Sequence, residues 1–131
     1  MLKYFLKKPD LAWVATSPAE ANHQNLKIKY LGTAGFILSD QHRTLVLDPC
    51  ISRPNMWRTF TQSLLSDPEL VREYIPKADE VLIGHAHYDH ILDAPEVCKQ
   101  TGARLIGSKA TLMYGRSVGL SELQMLEIQG R

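Results

Sequence analysis

The first readable pattern of apolar and polar positions begins at Leu26. From Leu26 to Tyr30 apolar residues alternate with lysines, which is the period of a half-buried strand. Two short apolar runs, 36–38 and 44–47, follow after a glycine-containing turn and a polar stretch. The pattern predicts a meander of three short strands that ends at Asp48.

The later part of the chain alternates strands with helices. Three apolar runs predict strands, at residues 81–84, 104–107 and 125–128. The run at 81–84 has no polar alternation, as in a strand covered on both faces. Ser66 and Asp93 each begin a capping-box pattern, and Ser108 is a third N-cap candidate, so three helices are predicted after them. The element order favours an α/β fold with a mixed sheet.

Length and composition narrow the classes of protein. The 131 residues correspond to about one domain, and 44% hydrophobic with 22% charged residues is typical of a soluble globular chain. We expect residues 1–25 to be an N-terminal arm and residues 26–131 to form the domain. A net charge of +1 provides no basic field for nucleic acid or an anionic membrane surface. Because no apolar run reaches the length of a membrane helix, no membrane partner is expected.

The two cysteines, Cys50 and Cys98, have no CxxC spacing and are too few for a disulfide scaffold. Both are expected to be reduced, which favours a cytoplasmic protein. Cys50 is expected to be a buried, inert thiol, whereas Cys98 lies in a predicted helix and faces either the core or solvent.

The chemistry is concentrated in residues 85–90, which read His-Ala-His-Tyr-Asp-His. In an extended chain the side chains of His85 and His87 project to the same side, so their ring nitrogens can converge on one zinc ion. The chain must then turn before the helix predicted at Asp93, and this turn can bring Asp89 and His90 to a second cation. Two cations about 3.5–4 Å apart activate water for hydrolysis. Residue type alone does not separate zinc from manganese or iron.

This segment resembles the HxHxDH signature of the metallo-β-lactamase superfamily, and the Leu31–Phe36 turn and Leu47-Asp48-Pro49 support the match. The GTAGF and LDP context most resembles the branch containing ascorbate-phosphate lactonase-like hydrolases. The resemblance implies that residues from Leu26 to Ile128 form the N-terminal half of an αββα sandwich, without its C-terminal half.

The resemblance also implies roles for individual residues. His85 and His87 would be ligands of the first metal, and Asp89 and His90 of the second. Asp89 would additionally accept a proton during turnover, which makes it the candidate catalytic residue. Asp48 would support the site from outside the coordination sphere. An equally good reading of Asp48 is a carboxylate that caps the turn before Pro49.

The chain departs from the superfamily pattern after His90. Members of the superfamily supply a further His, a bridging carboxylate and a last His downstream, whereas no histidine follows His90 here. We therefore expect a truncated form in which the active site is incomplete. One sheet face would lack its partner layer, which makes a homo-oligomer an expected partner.

The resulting hypothesis is a metal-dependent hydrolase that acts on a small ester, lactone or phosphoester through a metal-activated water. Two alternatives remain open. A superfamily nuclease is disfavoured by the near-zero net charge. A non-catalytic metal-binding or assembly module would explain the missing ligands. Tyr88, inside the motif, is expected to be a packed aromatic rather than a substrate contact.

Overall fold

A single mixed sheet forms the centre of the computed structural model, which describes residues 26–53 and 63–129. The expected N-terminal arm at residues 1–25 lies outside the described residues. Six strands pair in the order of the sequence. They are β1 (Lys27–Gly32), β2 (Gly35–Ser39), β3 (Thr44–Leu47), β4 (Glu80–Leu82), β5 (Arg104–Gly107) and β6 (Met125–Glu127). Strands β1 to β3 are antiparallel and β3 to β6 are parallel, so the predicted meander followed by alternating strands and helices is confirmed.

Helices connect the parallel strands. They are α1 (Pro68–Tyr74), α2 (Tyr88–Ile91), α3 (Ala94–Thr101) and α4 (Lys109–Ser117), with a 3-10 turn at Glu122–Gln124 before β6. Among the described residues, no helix has the length and apolar character needed to cross a bilayer. As predicted, Ser108 caps α4 by accepting the Thr111 N–H. Gly102 ends α3 in the left-handed conformation at φ 79°.

The predicted capping boxes are wrong in detail at the other two helices. Asp67, not Ser66, is the N-cap of α1, and its carboxylate accepts the N–H groups of Glu69 and Leu70. Asp93 occupies the N-cap position of α3, but its side chain makes no capping hydrogen bond. The Ser66 hydroxyl instead donates a hydrogen bond to the Asp93 carboxylate.

The core lies between the helices and one face of the sheet. Val46, Val81 and Leu105 are fully buried at the centre of the three adjacent strands β3, β4 and β5. Val71 of α1 and Val97 of α3 belong to the same buried cluster. Burial of these side chains supplies the main driving force for docking the helices on the sheet.

The opposite face of the sheet carries a continuous apolar row. One residue from each strand lies in register with the next: Tyr30, Phe36, Leu47, Leu82, Ile106 and Leu126. All six side chains are half-buried or exposed. The expectation that β4 is covered on both faces is therefore not met by the part of the chain that the structure describes, which contributes no layer over this row.

Arg53 ties the first hairpin to the segment that follows β3. Its guanidinium lies over Gly32 and donates to the Leu31 carbonyl oxygen at 3.2 Å. Gly32 has a φ of 94°, and a β-carbon there would collide with the guanidinium, so glycine is required at this position on both counts. The contact holds residues 48–53, named here the β3 loop, against the end of the sheet.

Candidate metal centre

Residues of the His85–His90 segment lie where β3 and β4 end side by side. The two strands are parallel, so their carboxyl ends meet at one edge of the sheet, the usual place for ligand sites in such sheets. The Asp48 N–H donates to the Leu82 carbonyl oxygen at 3.1 Å, which carries the pairing one residue past the end of β3. Sheet register thus brings Asp48 next to Gly84, which lies 36 residues further along the chain.

The first two histidines converge, as the alternation of an extended chain predicts. His85 Nε2 lies 2.9 Å from His87 Nδ1, with the two rings nearly perpendicular at 82°. Two nitrogens bound to a tetrahedral zinc at 2.0–2.1 Å are separated by about 3.3 Å. The two atoms therefore need to part by only about 0.4 Å to share one zinc ion, so this pair of donors fits the metal.

The turn expected after His87 is the short helix α2. His87 is its N-cap, and the His87 carbonyl oxygen accepts the N–H groups of His90 and Ile91, each at 3.0 Å. The turn places Asp89 and His90 together, with His90 Nε2 at 3.8 Å from Asp89 Oδ2. The Asp89 side chain is 42% exposed and the His90 side chain 23%, so the carboxylate lies on the solvent side of the imidazole.

Asp48 links the sheet edge to His90. Its Oδ1 atom accepts the Gly84 N–H at 2.7 Å, and its Oδ2 atom lies 3.1 Å from His90 Nδ1. A β-carbon at Gly84 would lie 3.3 Å from Oδ2, so glycine lets the carboxylate approach the backbone closely. Asp48 therefore accepts a backbone N–H after β4 through one oxygen and faces the imidazole through the other. The N–H group belongs to Gly84 and not to the turn before Pro49, which was one of the two readings from the sequence.

His90 Nδ1 is buried and lacks a well-aligned hydrogen-bond partner within residues 26–53 and 63–129, although Asp48 lies beside it. Histidines that bind metals typically present one ring nitrogen to a carboxylate while the other binds the ion. A small rotation of the imidazole would align Nδ1 with Asp48 and leave Nε2 facing Asp89. The donors around His90 thus fit a cation held on the Nε2 side.

The four candidate ligands lie in two neighbouring pairs. The ring centroids of His85 and His90 are 5.7 Å apart, so the two pairs lie side by side and do not converge on one common metal position. In the described portion of the chain, no group of three or more His, Cys, Asp or Glu side chains has metal-binding geometry.

Sequence reasoning missed the environment of Asp93. Its carboxylate is fully buried and accepts the N–H groups of Ile51 and Ser52 and the hydroxyl of Ser66. The apolar residues around it in the sequence, from Ile91 to Pro95, were a signal that this acid faces the interior rather than the helix end.

The expectation that Tyr88 is packed is wrong. Its side chain is 52% exposed, because it opens helix α2 directly after the His87 cap and points away from the core. Tyr88 and Ala86 of the motif help to line a cleft of about 280 Å³, together with Leu64, Ile91, Leu92 and Tyr114.

Both thiols are free and buried, as expected for Cys50, and Cys98 faces the core rather than solvent. Burial raises the pKa of Cys50 to about 11, with a further contribution from the negative charge of Asp93. Burial alone raises the pKa of Cys98 to about 12. Neither sulfur is present as the thiolate that metal binding or nucleophilic attack requires at neutral pH.

Comparisons with known proteins identify the relatives of this chain. The chain is 30% identical over 106 residues to a UPF0173 metal-dependent hydrolase of Methanopyrus kandleri, covering 80% of this chain and 40% of that protein. It is 32% identical over 105 residues to a UPF0173 metal-dependent hydrolase of Methylacidiphilum infernorum, covering 80% and 42%. The chain thus spans about two fifths of the length of these relatives.

A similar solved structure is that of Igni18, described as a novel metallo hydrolase from the archaeon Ignicoccus hospitalis. It superposes with a TM-score of 0.57 at 27% sequence identity and covers 79% of this chain and 40% of that one. This match confirms the expected metallo-β-lactamase-type arrangement of a mixed sheet with helices. The family model described as the beta-lactamase superfamily domain matches residues 43–124, which include β3, the His85–His90 segment and α4. The chain therefore belongs to the beta-lactamase superfamily.

Proposed function

We propose that this chain contributes the first set of metal ligands to a metal-dependent hydrolase. The observation that carries the proposal is the alignment of Asp48, His90 and Asp89 beside the His85 and His87 pair at one edge of the sheet. The names of the relatives, metal-dependent hydrolases and a metallo hydrolase, support the same activity.

Each residue has a separate task in this proposal. His85 and His87 hold one cation, while Asp89 and His90 hold a second. Asp48 orients His90 and maintains the basicity of its imidazole. Bound cations would supply Lewis acidity and a water of lowered pKa. In this proposal Asp89 would also accept a proton from the attacking water, and its 42% exposed side chain supports that role.

Zinc is the proposed metal, because three of the four ligands are imidazoles. Two cations shared among four donors have two protein ligands each, below the three that a catalytic zinc site uses. We propose that residues outside the stretch matched here complete the site, so that the 131-residue chain alone binds metal weakly and turns over slowly.

The proposed substrate is a small ester, lactone or phosphoester. The cleft beside the motif has a volume of about 280 Å³, close to the lower limit for small-molecule pockets. Its aromatic walls, Tyr88 and Tyr114, would contact an apolar part of such a substrate, while the cations hold its reacting group.

Zinc titration of the 131-residue chain by calorimetry tests the metal site. We expect His87→Ala to weaken zinc binding at least 10-fold. His42→Ala is the matched control, since His42 is exposed in the β2–β3 turn away from the motif, and it should bind as the unmodified chain does. Equal zinc binding in both variants would contradict the assignment.

Hydrolysis tests the activity separately. The zinc-loaded chain is assayed with p-nitrophenyl acetate, a γ-lactone and bis-p-nitrophenyl phosphate, with His87→Ala and a chelator as controls. We expect slow turnover of at least one compound that is lost in both controls. Stoichiometric zinc without any such turnover would refute the hydrolase and favour the metal-binding module.

A further inference from the structure

Asp93 is a buried carboxylate for which the proposed function gives no role. Its side chain is completely buried, and its Oδ2 atom accepts the N–H groups of Ile51 at 2.5 Å and Ser52 at 2.8 Å. Its Oδ1 atom accepts the Ser66 hydroxyl at 2.5 Å. Within the described residues no lysine or arginine forms an ion pair with it, so these three donors stabilise the carboxylate.

These hydrogen bonds join the β3 loop to the motif-bearing segment. Asp93 follows His90 by three residues and is separated from helix α2 by Leu92 alone. Its own N–H donates to the Pro49 carbonyl oxygen at 3.3 Å, so side chain and backbone together contact three residues of the loop. The same loop begins with Asp48, whose carboxylate faces His90 at 3.1 Å.

The backbone of Asp48 needs such support. Its φ of 40° lies in the left-handed region, which is unfavourable for a non-glycine residue and persists only where the surroundings enforce it. The hydrogen bond from Gly84 fixes the carboxylate end of Asp48. The bonds from Ile51 and Ser52 to Asp93 fix the loop on its other side.

We propose that Asp93 is a positioning residue of the candidate metal centre, which holds the β3 loop so that the Asp48 carboxylate stays against His90. The inference rests on the proposed function, because positioning matters only if His90 binds a cation. Asp93 contacts none of the proposed ligand atoms and acts through Asp48.

Two substitutions separate the hydrogen bonds of Asp93 from its charge. In Asp93→Asn the amide oxygen can accept from Ile51 and Ser52 while the amide NH₂ donates to the Ser66 hydroxyl oxygen. We expect Asp93→Asn to bind zinc within about 3-fold of the unmodified chain. Asp93→Ala removes all three bonds, and we expect it to weaken zinc binding by about 10- to 100-fold, the loss typical of a group that orients a metal ligand.

A double-mutant cycle with Asp48→Ala distinguishes positioning from general destabilisation. If Asp93 acts through Asp48, Asp93→Ala should cost less than about 3-fold in zinc affinity once Asp48 is already Ala. Equal losses in both backgrounds would overturn the proposal. Leu105→Val is the control for stability, because Leu105 is buried beneath α4 at Gly115 and its loss should leave zinc affinity unchanged.

Hydrogen exchange of the zinc-free chain gives a second readout. The amides of Ile51 and Ser52 should exchange at least 10-fold faster in Asp93→Ala and near the original rate in Asp93→Asn. If Asp93→Ala does not fold, Asp93→Ser replaces it, since the shorter hydroxyl cannot reach both amides. Absence of zinc binding by the unmodified chain refutes the proposed function. Zinc binding that is unchanged in Asp93→Ala refutes this inference alone.

Discussion

Replacement of Ser66 by alanine gives a direct test of how the interior is organised. The Ser66 hydroxyl is the donor to Oδ1 of the fully buried Asp93, at 2.5 Å. A hydrogen bond to a charged group contributes about 1.5–3 kcal/mol, and its loss leaves that oxygen without its donor. We therefore expect Ser66→Ala to lower the free energy of unfolding by about 2 kcal/mol. For a chain of 131 residues, between the sizes where 1 kcal/mol shifts the melting temperature by about 4–8 °C and by about 2–4 °C, this corresponds to a melting temperature lower by roughly 5–12 °C.

Asp67→Ala is the matched control. It removes the actual N-cap of α1, an exposed carboxylate that accepts the Glu69 and Leu70 N–H groups, and should cost about 1 kcal/mol. Urea unfolding followed by circular dichroism gives both values, with the slope m as the check on two-state behaviour. If Ser66 were the helix cap, the order of the two losses would be reversed. A loss in Ser66→Ala no larger than that in Asp67→Ala refutes the reasoning.

Three further outcomes are expected. Burial raises the pKa of Cys98 from 9.0 to about 12, so the thiol loses its proton at a lower pH in the unfolded state than in the folded state. Stability in urea should therefore fall as the pH rises above 9, less steeply in Cys98→Ala. Gly107→Ala should lower the free energy of unfolding by about 1–3 kcal/mol in thermal unfolding, because a β-carbon would lie 2.7 Å from the buried Thr111 Cγ2. In Gly102→Ala the β-carbon meets open space, so the loss should be about 1 kcal/mol and come from the positive φ alone. Leu82 lies in the apolar row that residues 26–53 and 63–129 leave uncovered, so Leu82→Lys should reduce self-association measured by light scattering at micromolar concentration. A strictly monomeric unmodified chain would contradict the expected homo-oligomer.

The strands could be predicted from sequence because their signal is local. Each apolar run needs only its own periodicity and the turn residues around it, and all six predicted strands are present. The capping patterns at Ser66 and Asp93 were misleading for the same reason. Both match the local spacing of a helix start, but their side chains bond across 27 residues to each other. The spacing of a capping pattern does not report a tertiary partner of this kind, although the apolar neighbours of Asp93 in the sequence indicated a buried side chain.

The candidate site likewise has features that local sequence predicts and features that depend on tertiary structure. Convergence of His85 and His87 follows from the two-residue period of extended chain and needs no tertiary information. The contact between Asp48 and His90 depends on strand register, so the residues alone left two readings of Asp48 open. The exposure of Tyr88 depends on where helix α2 begins, and no capping pattern in the sequence marks a helix start at that residue.

The topology of the sheet explains why these donors meet at all. The chain changes from antiparallel to parallel pairing between β3 and β4, so two strands far apart in sequence end at the same edge. Asp48 follows the end of β3, and the histidines follow the end of β4. In the described residues, the only helix that carries a candidate ligand is the four-residue α2. The positions of the donors are therefore set by backbone hydrogen bonds of the sheet edge and by the contacts of the β3 loop, not by packing of a long helix. Substitutions that weaken β5 or β6 should consequently reduce stability before they alter metal affinity, whereas changes at Gly84 or in the β3 loop should alter metal affinity first.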